Sequence, residues 1–425
     1  MPGEIIRFVA GPIAEHLRAW HPEPVAMPLT APQKALVRAL RRIRFGRLRV
    51  ELPDGKVISF KGRLPGESAQ LEIRDWKAVD AIIHRGQIGF ADAYVDGRIE
   101  TGNLADLIAF FLRNEKALQH YIHGRFWYSF WIAVRHAVHG NLAGRRKVAG
   151  AHYELNNDFY ALWLDEGMTY SSALFDDDPL RSLEEAQAAK YRRILKKLGA
   201  KAGDHVLEIG CGWGGFAEAA ARLGLKVTAV TLSHQQADFA VERIEAAHLS
   251  DRVHILVKDY RDVHGTFDHV VSIGLFEHLG AENWVQFLRQ VRRRLKPSGR
   301  ALIQSIFVQD DVLPVGQARP DFTATYISPA GDLPSAEVFR QRAEEAGLAC
   351  KEQFAFGLDY KKTFQCWLSR FEANLDAVRA QGHDEPFIRL WRLYLSSCIA
   401  AFATLRTSVM QAELVAAQRN VEAKN

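Results

Sequence analysis

Residues 206–215 read V-L-E-I-G-C-G-W-G-G, a short apolar strand with one carboxylate and then four glycines in six positions, and a small apolar helix follows over 216–223. Glycines at 210, 212 and 214 let the backbone turn tightly and approach a ligand that any Cβ would push away, and the helix N-terminus behind them offers free N–H groups. A nucleotide-like ligand is the expected occupant. Around this unit strands alternate with helices: strands at 205–209, 226–231, 253–258, 267–273 and 300–306, helices near 215–223, 234–247, 282–294 and 336–346. That alternation predicts an α/β chain built on a doubly wound parallel sheet, with ligands at the carboxyl ends of its strands.

The glycine spacing by itself is ambiguous, because Gly210, Gly212 and Gly215 also satisfy the dinucleotide pattern G-x-G-x-x-G. Two features separate the readings. Glu208 stands two residues before the first glycine, giving E-x-G-x-G-x-G, which resembles the first motif of class I S-adenosylmethionine methyltransferases, where the acid faces the cationic amino end of that ligand. The second strand ends in Thr231-Leu232-Ser233, with no carboxylate where NAD needs one for its ribose hydroxyls.

At 425 residues the chain is long enough for two or three domains. No apolar run approaches the ~20 residues that span a bilayer, and the N-terminus lacks a basic and apolar leader, so a cytoplasmic protein is expected. Cys211, Cys350, Cys366 and Cys398 form no C-x-x-C pair, and His136 and His139 have no third ligand nearby; reduced thiols and no metal are expected. The net charge of +5 conceals a local excess, since 34–63 hold ten Lys and Arg against Glu51 and Asp54. Lipid headgroup phosphates or nucleic acid would suit that excess; so would plain solvent around a helix face.

The expected organisation is a weakly ordered arm at 1–30, an accessory α+β domain at 31–125, a linker helix at 126–150 and a catalytic domain at 151–425. In the accessory part a basic helix over 34–45 precedes two strands, 47–52 and 56–62, joined by Pro53-Asp54-Gly55, a hairpin signal. Aromatics and arginines mix over 125–147, a pattern that fits a membrane interface or a helix packing two domains together. Ser182 and Glu185 form a capping box for a helix that stops at Gly199. The proline-bearing stretch 307–334 reads as a lid, and helices at 365–381 and 386–414 as the walls of an apolar cavity.

Together these residues resemble the cyclopropane-fatty-acyl-phospholipid synthases and the related mycolic acid methyltransferases. The resemblance is carried by H-Y-E-L-N-N-D-F-Y at 152–160, M-T-Y-S-S at 168–172, E-E-A-Q-A-A-K at 184–190, the glycine turn, V-T-L-S-x-x-Q at 230–236, K-D-Y-R-D at 258–262, S-I-G-L-F-E-H at 272–278 and F-G-L-D-Y at 356–360. G-F-A-D-A-Y-V-D-G at 89–97 resembles the accessory domain of the longer bacterial synthases. The resemblance implies a class I methyltransferase sheet with a small accessory domain and a helical C-terminal and lid region. It places Tyr170, Ser171, Glu208, Gly210, Cys211, Gly212, Gly214, Thr231, Leu232, Gln236, Tyr260 and Arg261 around S-adenosylmethionine.

The implied reaction is methyl transfer to the double bond of an unsaturated acyl chain in a membrane phospholipid, by an enzyme peripheral to the inner face of the membrane. The sequence leaves a homodimer open, and no nucleic-acid partner is expected. Such a site must stabilise a carbocation, exclude water and accept a proton; aromatic faces do the first. In the family bicarbonate accepts the proton, held by a Glu, a His, a Tyr and a Cys. Glu277 and Tyr360 match two of these, whereas the cysteine is Ser172 here and the histidine is Gln304, a residue that cannot take on charge. That departure puts ring closure against a methyl-branched or methylene product, with Glu166 a further candidate base. Cys398 matches a cysteine once assigned as nucleophile and reads as cavity lining. An N-methyltransferase of small amines, or a protein binding lipid and S-adenosylmethionine without turnover, are the rival readings.

Overall fold

The structure, a computed structural model, describes residues 30–118, 155–309 and 333–417. The expected linker helix at 126–150, nearly all of the expected N-terminal arm and most of the expected lid lie outside the described residues.

Helix α1 (Ala31–Leu40) starts behind Thr30, whose backbone is capped by Gln33. It is shorter than expected, because the chain leaves it to enter β1 (Phe45–Glu51). β1 pairs antiparallel with β2 (Val57–Lys61) across the Asp54-Gly55 turn, as the hairpin signal predicts. β3 (Leu64–Ile73), α2 (Trp76–Val95), β4 (Ile99–Glu100) and α3 (Leu104–Arg113) follow. The sheet order is β2-β1-β3-β4. Alternation along β1 and β2 buries Leu48, Val50, Ile58 and Phe60 on one face and leaves Arg47, Arg49 and Lys61 exposed on the other.

The second sheet is introduced by α4 (Leu183–Leu198), which has the reciprocal Ser182–Glu185 cap at its start and left-handed Gly199 at its end. Then come β5 (His205–Ile209), α5 (Gly215–Arg222), β6 (Lys226–Thr231), α6 (His234–Ala246), β7 (Val253–Val257), β8 (Phe267–Ile273), α7 (Trp284–Arg294) and β9 (Leu295–Val308). The chain continues through α8 (Ala336–Glu345), β10 (Leu348–Ala355), α9 (Gly357–Ala373), α10 (Glu385–Ala403) and β11 (Thr407–Ala416). The strand order is β10-β11-β9-β8-β5-β6-β7, with β11 antiparallel to both neighbours. Two corrections concern this edge. The helix expected over 386–414 ends at Ala403, and the residues beyond Leu405, whose φ is +58°, form β11. β10 was not among the expected strands.

Helix α3, apolar over 104–112, is buried between the first sheet and α10, so the two halves share one apolar core. Arg389 of α10 ties them further. Its guanidinium donates to Glu100 at 2.6 Å, to the Tyr94 carbonyl at 2.5 Å and to the Ile99 carbonyl at 3.1 Å, and lies 4.3 Å over the Tyr94 ring. Removing a buried cation that satisfies three acceptors costs about 3 kcal/mol. Arg389→Met is therefore expected to lower the unfolding free energy by that amount at unchanged secondary structure; a change below about 0.5 kcal/mol in chemical denaturation would show that the clasp contributes nothing.

Candidate active site

The glycine turn leaves β5 with φ of +82° at Gly210, +53° at Gly212 and +82° at Gly214, a run that side-chain-bearing residues rarely adopt. It borders a cavity of about 610 Å³ at the carboxyl ends of the parallel strands. Glu208, Gly210, Cys211 and Gly212 line it from β5 and the turn, Thr231, Leu232 and Gln236 from the end of β6, Tyr260 from the turn after β7, and Tyr170 with Ser171 from the segment before α4. The same cavity continues to Glu277, Ile306, Tyr360, Tyr394 and Cys398.

Four residues expected at the site are not among its lining. Gly214 caps α5 and backs on to α6, where an added Cβ would meet Ala240 at 3.0 Å. Arg261 is exposed and folds back on Asp259 at 2.7 and 2.9 Å. Ser172 is fully buried and donates to the carbonyl of Ala173 at 3.0 Å. Gln304 sits on β9 beside Ser305, and consecutive strand residues point to opposite faces. Ser305 faces Glu277, whereas Gln304 accepts a hydrogen bond from Gln411 at 3.0 Å, and Gln411 in turn accepts one from Arg193 at 2.5 Å. Glu166 is exposed; its buried neighbour is Asp165.

At the glycine end, Glu208 is 2% exposed. The backbone N–H of Ala217 donates to its carboxylate, and its Oε2 has no partner among the described residues. Burial pushes its pKa up, and the nearby charge of Lys190 pulls the other way. An orphaned buried acceptor beside a glycine cradle fits the cationic amino-acid end of S-adenosylmethionine. Thr231 and Gln236 hydrogen-bond each other at 3.1 Å, and Ser233 caps α6.

At the far end, Glu277 lies in a tight turn over Phe276–His278, 4% exposed, and accepts from Ser305 Oγ at 2.7 Å. Burial raises its carboxyl to about 7. Tyr360 stacks on Phe364 at 4.6 Å and lies 4.8 Å from Phe402; Tyr170 is 5.4 Å from Trp367, and its hydroxyl meets that of Tyr394 at 2.6 Å. Burial holds all three phenols, and the Cys398 thiol bonded to Tyr394, well above their ordinary pKa values, so they stay neutral. Cys398 is thus a poor nucleophile and part of the wall. His278, beside Glu277, is an exposed residue at the rim of the same cavity.

Sequence reasoning singled out neither Lys190 nor Tyr394 nor Ser305. Lys190 is fully buried and donates from Nζ to Ser171 Oγ at 2.6 Å, with Asp165 and Glu208 in its field. A signal for it exists: Leu183, Ala186, Gln187, Lys190, Ile194 and Leu198 fall on one stripe of α4, which puts a lysine on the apolar face.

A sheet of this order, with a glycine turn where the strand order reverses and an acid poised above it, defines a class I S-adenosylmethionine-dependent methyltransferase. Residues 142–412 match the family described as mycolic acid cyclopropane synthetase. Over 362 residues the chain is 33% identical to the cyclopropane-fatty-acyl-phospholipid synthase of Escherichia coli strain K12, covering 84% of this chain and 89% of that one. It is 38% identical over 255 residues to a probable fatty acid methyltransferase of Pseudomonas putida, covering 59% of this chain and 64% of that protein. The solved mycolic acid cyclopropane synthase CmaA1, complexed with SAH and CTAB, superposes with a TM-score of 0.56 at 30% identity, covering 62% of this chain and 95% of that one. The chain belongs to the mycolic acid cyclopropane synthetase family and is a methyltransferase of the cyclopropane-fatty-acyl-phospholipid synthase type. Among the described residues no helix is long and apolar enough to cross a membrane.

Proposed function

We propose that the protein methylates the double bond of unsaturated acyl chains in membrane phospholipids and closes a cyclopropane ring, working from the inner membrane face with 31–125 as accessory domain and 151–425 as catalytic domain. The observation that carries this reading is the single cavity joining the glycine turn to a buried, aromatic-walled carboxylate. S-adenosylmethionine, when bound, supplies an electrophilic methyl group. Glu208 holds the cofactor's ammonium, and Thr231, Gln236 and Tyr260 flank its nucleoside. The alkene's π electrons form the new carbon–carbon bond as the methyl–sulfur bond breaks, which leaves a positive charge on the adjacent chain carbon. The rings of Tyr170, Tyr360 and Phe364, which line the cavity, stabilise that charge and keep out water that would trap it. Glu277 then takes a proton from the new methyl, and the electrons of that C–H bond close the ring.

Tyr360, donating its hydroxyl, and Glu277, accepting from the ion's own O–H, are also the groups that would hold bicarbonate, where it would supply a further proton-accepting oxygen. Gln304 bears little on this, because its side chain is engaged on the opposite face of β9. The ring product is therefore favoured over a branched one. Ring closure also needs a proton acceptor beside the new methyl, which amine methylation does not, and a buried carboxyl near 7 fits that need.

The test is the fatty acid profile of a bacterial host that makes no cyclopropanes and expresses this chain. A new ester one methylene heavier than its unsaturated precursor is expected, resistant to mild hydrogenation. An unchanged profile sinks the lipid assignment, and a product that takes up hydrogen replaces the ring with a methylene branch.

A further inference from the structure

The N-terminal sheet carries a charge arrangement that its own stability does not explain. On its exposed face Arg47 of β1 lies directly opposite Lys61 of β2. Like charges in that cross-strand position oppose each other and weaken the pair. Arg44 and Arg63 flank the same corner, and both are exposed. Among the described residues none of the four forms an ion pair, although Arg49 and Lys56 close by find Glu51 and Asp54 at 3.3 and 3.0 Å. Leu64, next in the chain, is 42% exposed in their midst.

The corner is held in place by its backbone. Gly62 N–H donates to the Gly46 carbonyl and Leu64 N–H to the Arg44 carbonyl, each at 2.8 Å. An added Cβ on Gly62 would strike the Arg44 carbonyl at 2.4 Å. Buried Asn114 accepts from the N–H groups of Arg44 and Phe45 at 2.8 and 3.0 Å. The four cations are therefore gathered by design of the fold and not by chance drift of flexible ends.

We propose that this corner, Arg44, Arg47, Lys61 and Arg63 around Leu64, is the surface by which the protein docks on an anionic phospholipid bilayer. The proposal rests on the reading that the substrate is a membrane phospholipid. Uncompensated cations fit lipid phosphates, and an exposed leucine among them fits the boundary between headgroup and acyl chain. A second copy of the chain is the wrong occupant, because two such corners repel.

The test uses the full chain, sedimented with phosphatidylglycerol-containing vesicles or with pure phosphatidylcholine vesicles. The wild type is expected to favour the anionic vesicles, and R44Q/R47Q/K61Q/R63Q to lose at least about tenfold in that partition, while turning over the same phospholipid dispersed in detergent at the wild-type rate. Lys61→Gln alone relieves the cross-strand repulsion, so it should melt no lower than wild type and still bind anionic vesicles less. The proposal is overturned if the quadruple variant partitions like wild type, if wild type binds both vesicles equally, or if inorganic phosphate at matched ionic strength or duplex DNA displaces it. No wild-type turnover of the detergent-dispersed lipid would overturn the substrate reading instead, leaving docking to be decided by sedimentation.

Discussion

Glu277→Gln is expected to lower product formation by at least about a thousandfold, the scale of a lost proton acceptor, to leave S-adenosylhomocysteine affinity within about twofold, and to make the protein more stable. The third effect follows from the carboxyl's displacement from 4.5 to about 7. A group whose folded pKa is raised binds its proton in the native state and not in the unfolded one between those two values, so stability falls as pH climbs from about 4.5 to 7 and stays lowered above. At about 1.4 kcal/mol per pKa step the burden at neutral pH is about 3 kcal/mol. Glutamine keeps the acceptor for Ser305 and carries no charge, so denaturation at pH 7.5 should show a gain of that order, shrinking towards pH 4.5. Wild-type kcat/KM should rise through about pH 7 as the carboxylate forms. Loss of cofactor affinity together with activity would place Glu277 in the wrong role, and an unchanged pH 7.5 stability would mean the carboxyl is not desolvated.

What the sequence made legible was local. The glycine turn, the Ser182–Glu185 cap, the Asp54-Gly55 hairpin and the five strands 205–209, 226–231, 253–257, 267–273 and the core of β9 each depend on residues within a few positions of one another. β11 was not legible, because Met410, Gln411, Ala412, Glu413 and Leu414 are good helix formers on their own. They are strand because β9 and β10 stand on either side with backbone groups to satisfy, a tertiary reason that propensity does not contain. The site divided in the same way. Glu277 and Tyr360 were found by motif, but which neighbours they have is decided by register: Ser305 faces Glu277 and Gln304 does not, a distinction of one residue along β9.

Lys190→Met should damage the protein by a different route, through ligand affinity and stability together. The lysine makes no contact ion pair among the described residues; burial pulls its ammonium down to about 7 against the opposing fields of Asp165 and Glu208, and the same burial pushes both acids towards neutrality. Removing it takes away the opposing charge of Lys190, while Asp165 keeps its hydrogen bonds from Thr169 at 3.0 and 3.1 Å and Glu208 the one from the Ala217 N–H. The loss is therefore well below the 3–5 kcal/mol seen when a touching buried pair is broken, about 1–2 kcal/mol here. Glu208 shifts further towards its protonated form, and a neutral carboxyl attracts a cationic ammonium poorly, so S-adenosylhomocysteine affinity at pH 7 should drop at least about tenfold. The Ser171 hydroxyl, which accepts from Nζ at 2.6 Å, loses its anchor at the cavity wall as well. Asp165→Asn in the Lys190→Met background removes one of the stranded acids, and the double variant should recover about 1 kcal/mol over the single. Titration calorimetry and denaturation of the two variants decide the matter: a Lys190→Met protein that binds ligand and resists denaturant as the wild type does would reduce the lysine to a packing residue whose ammonium the cofactor site does not feel.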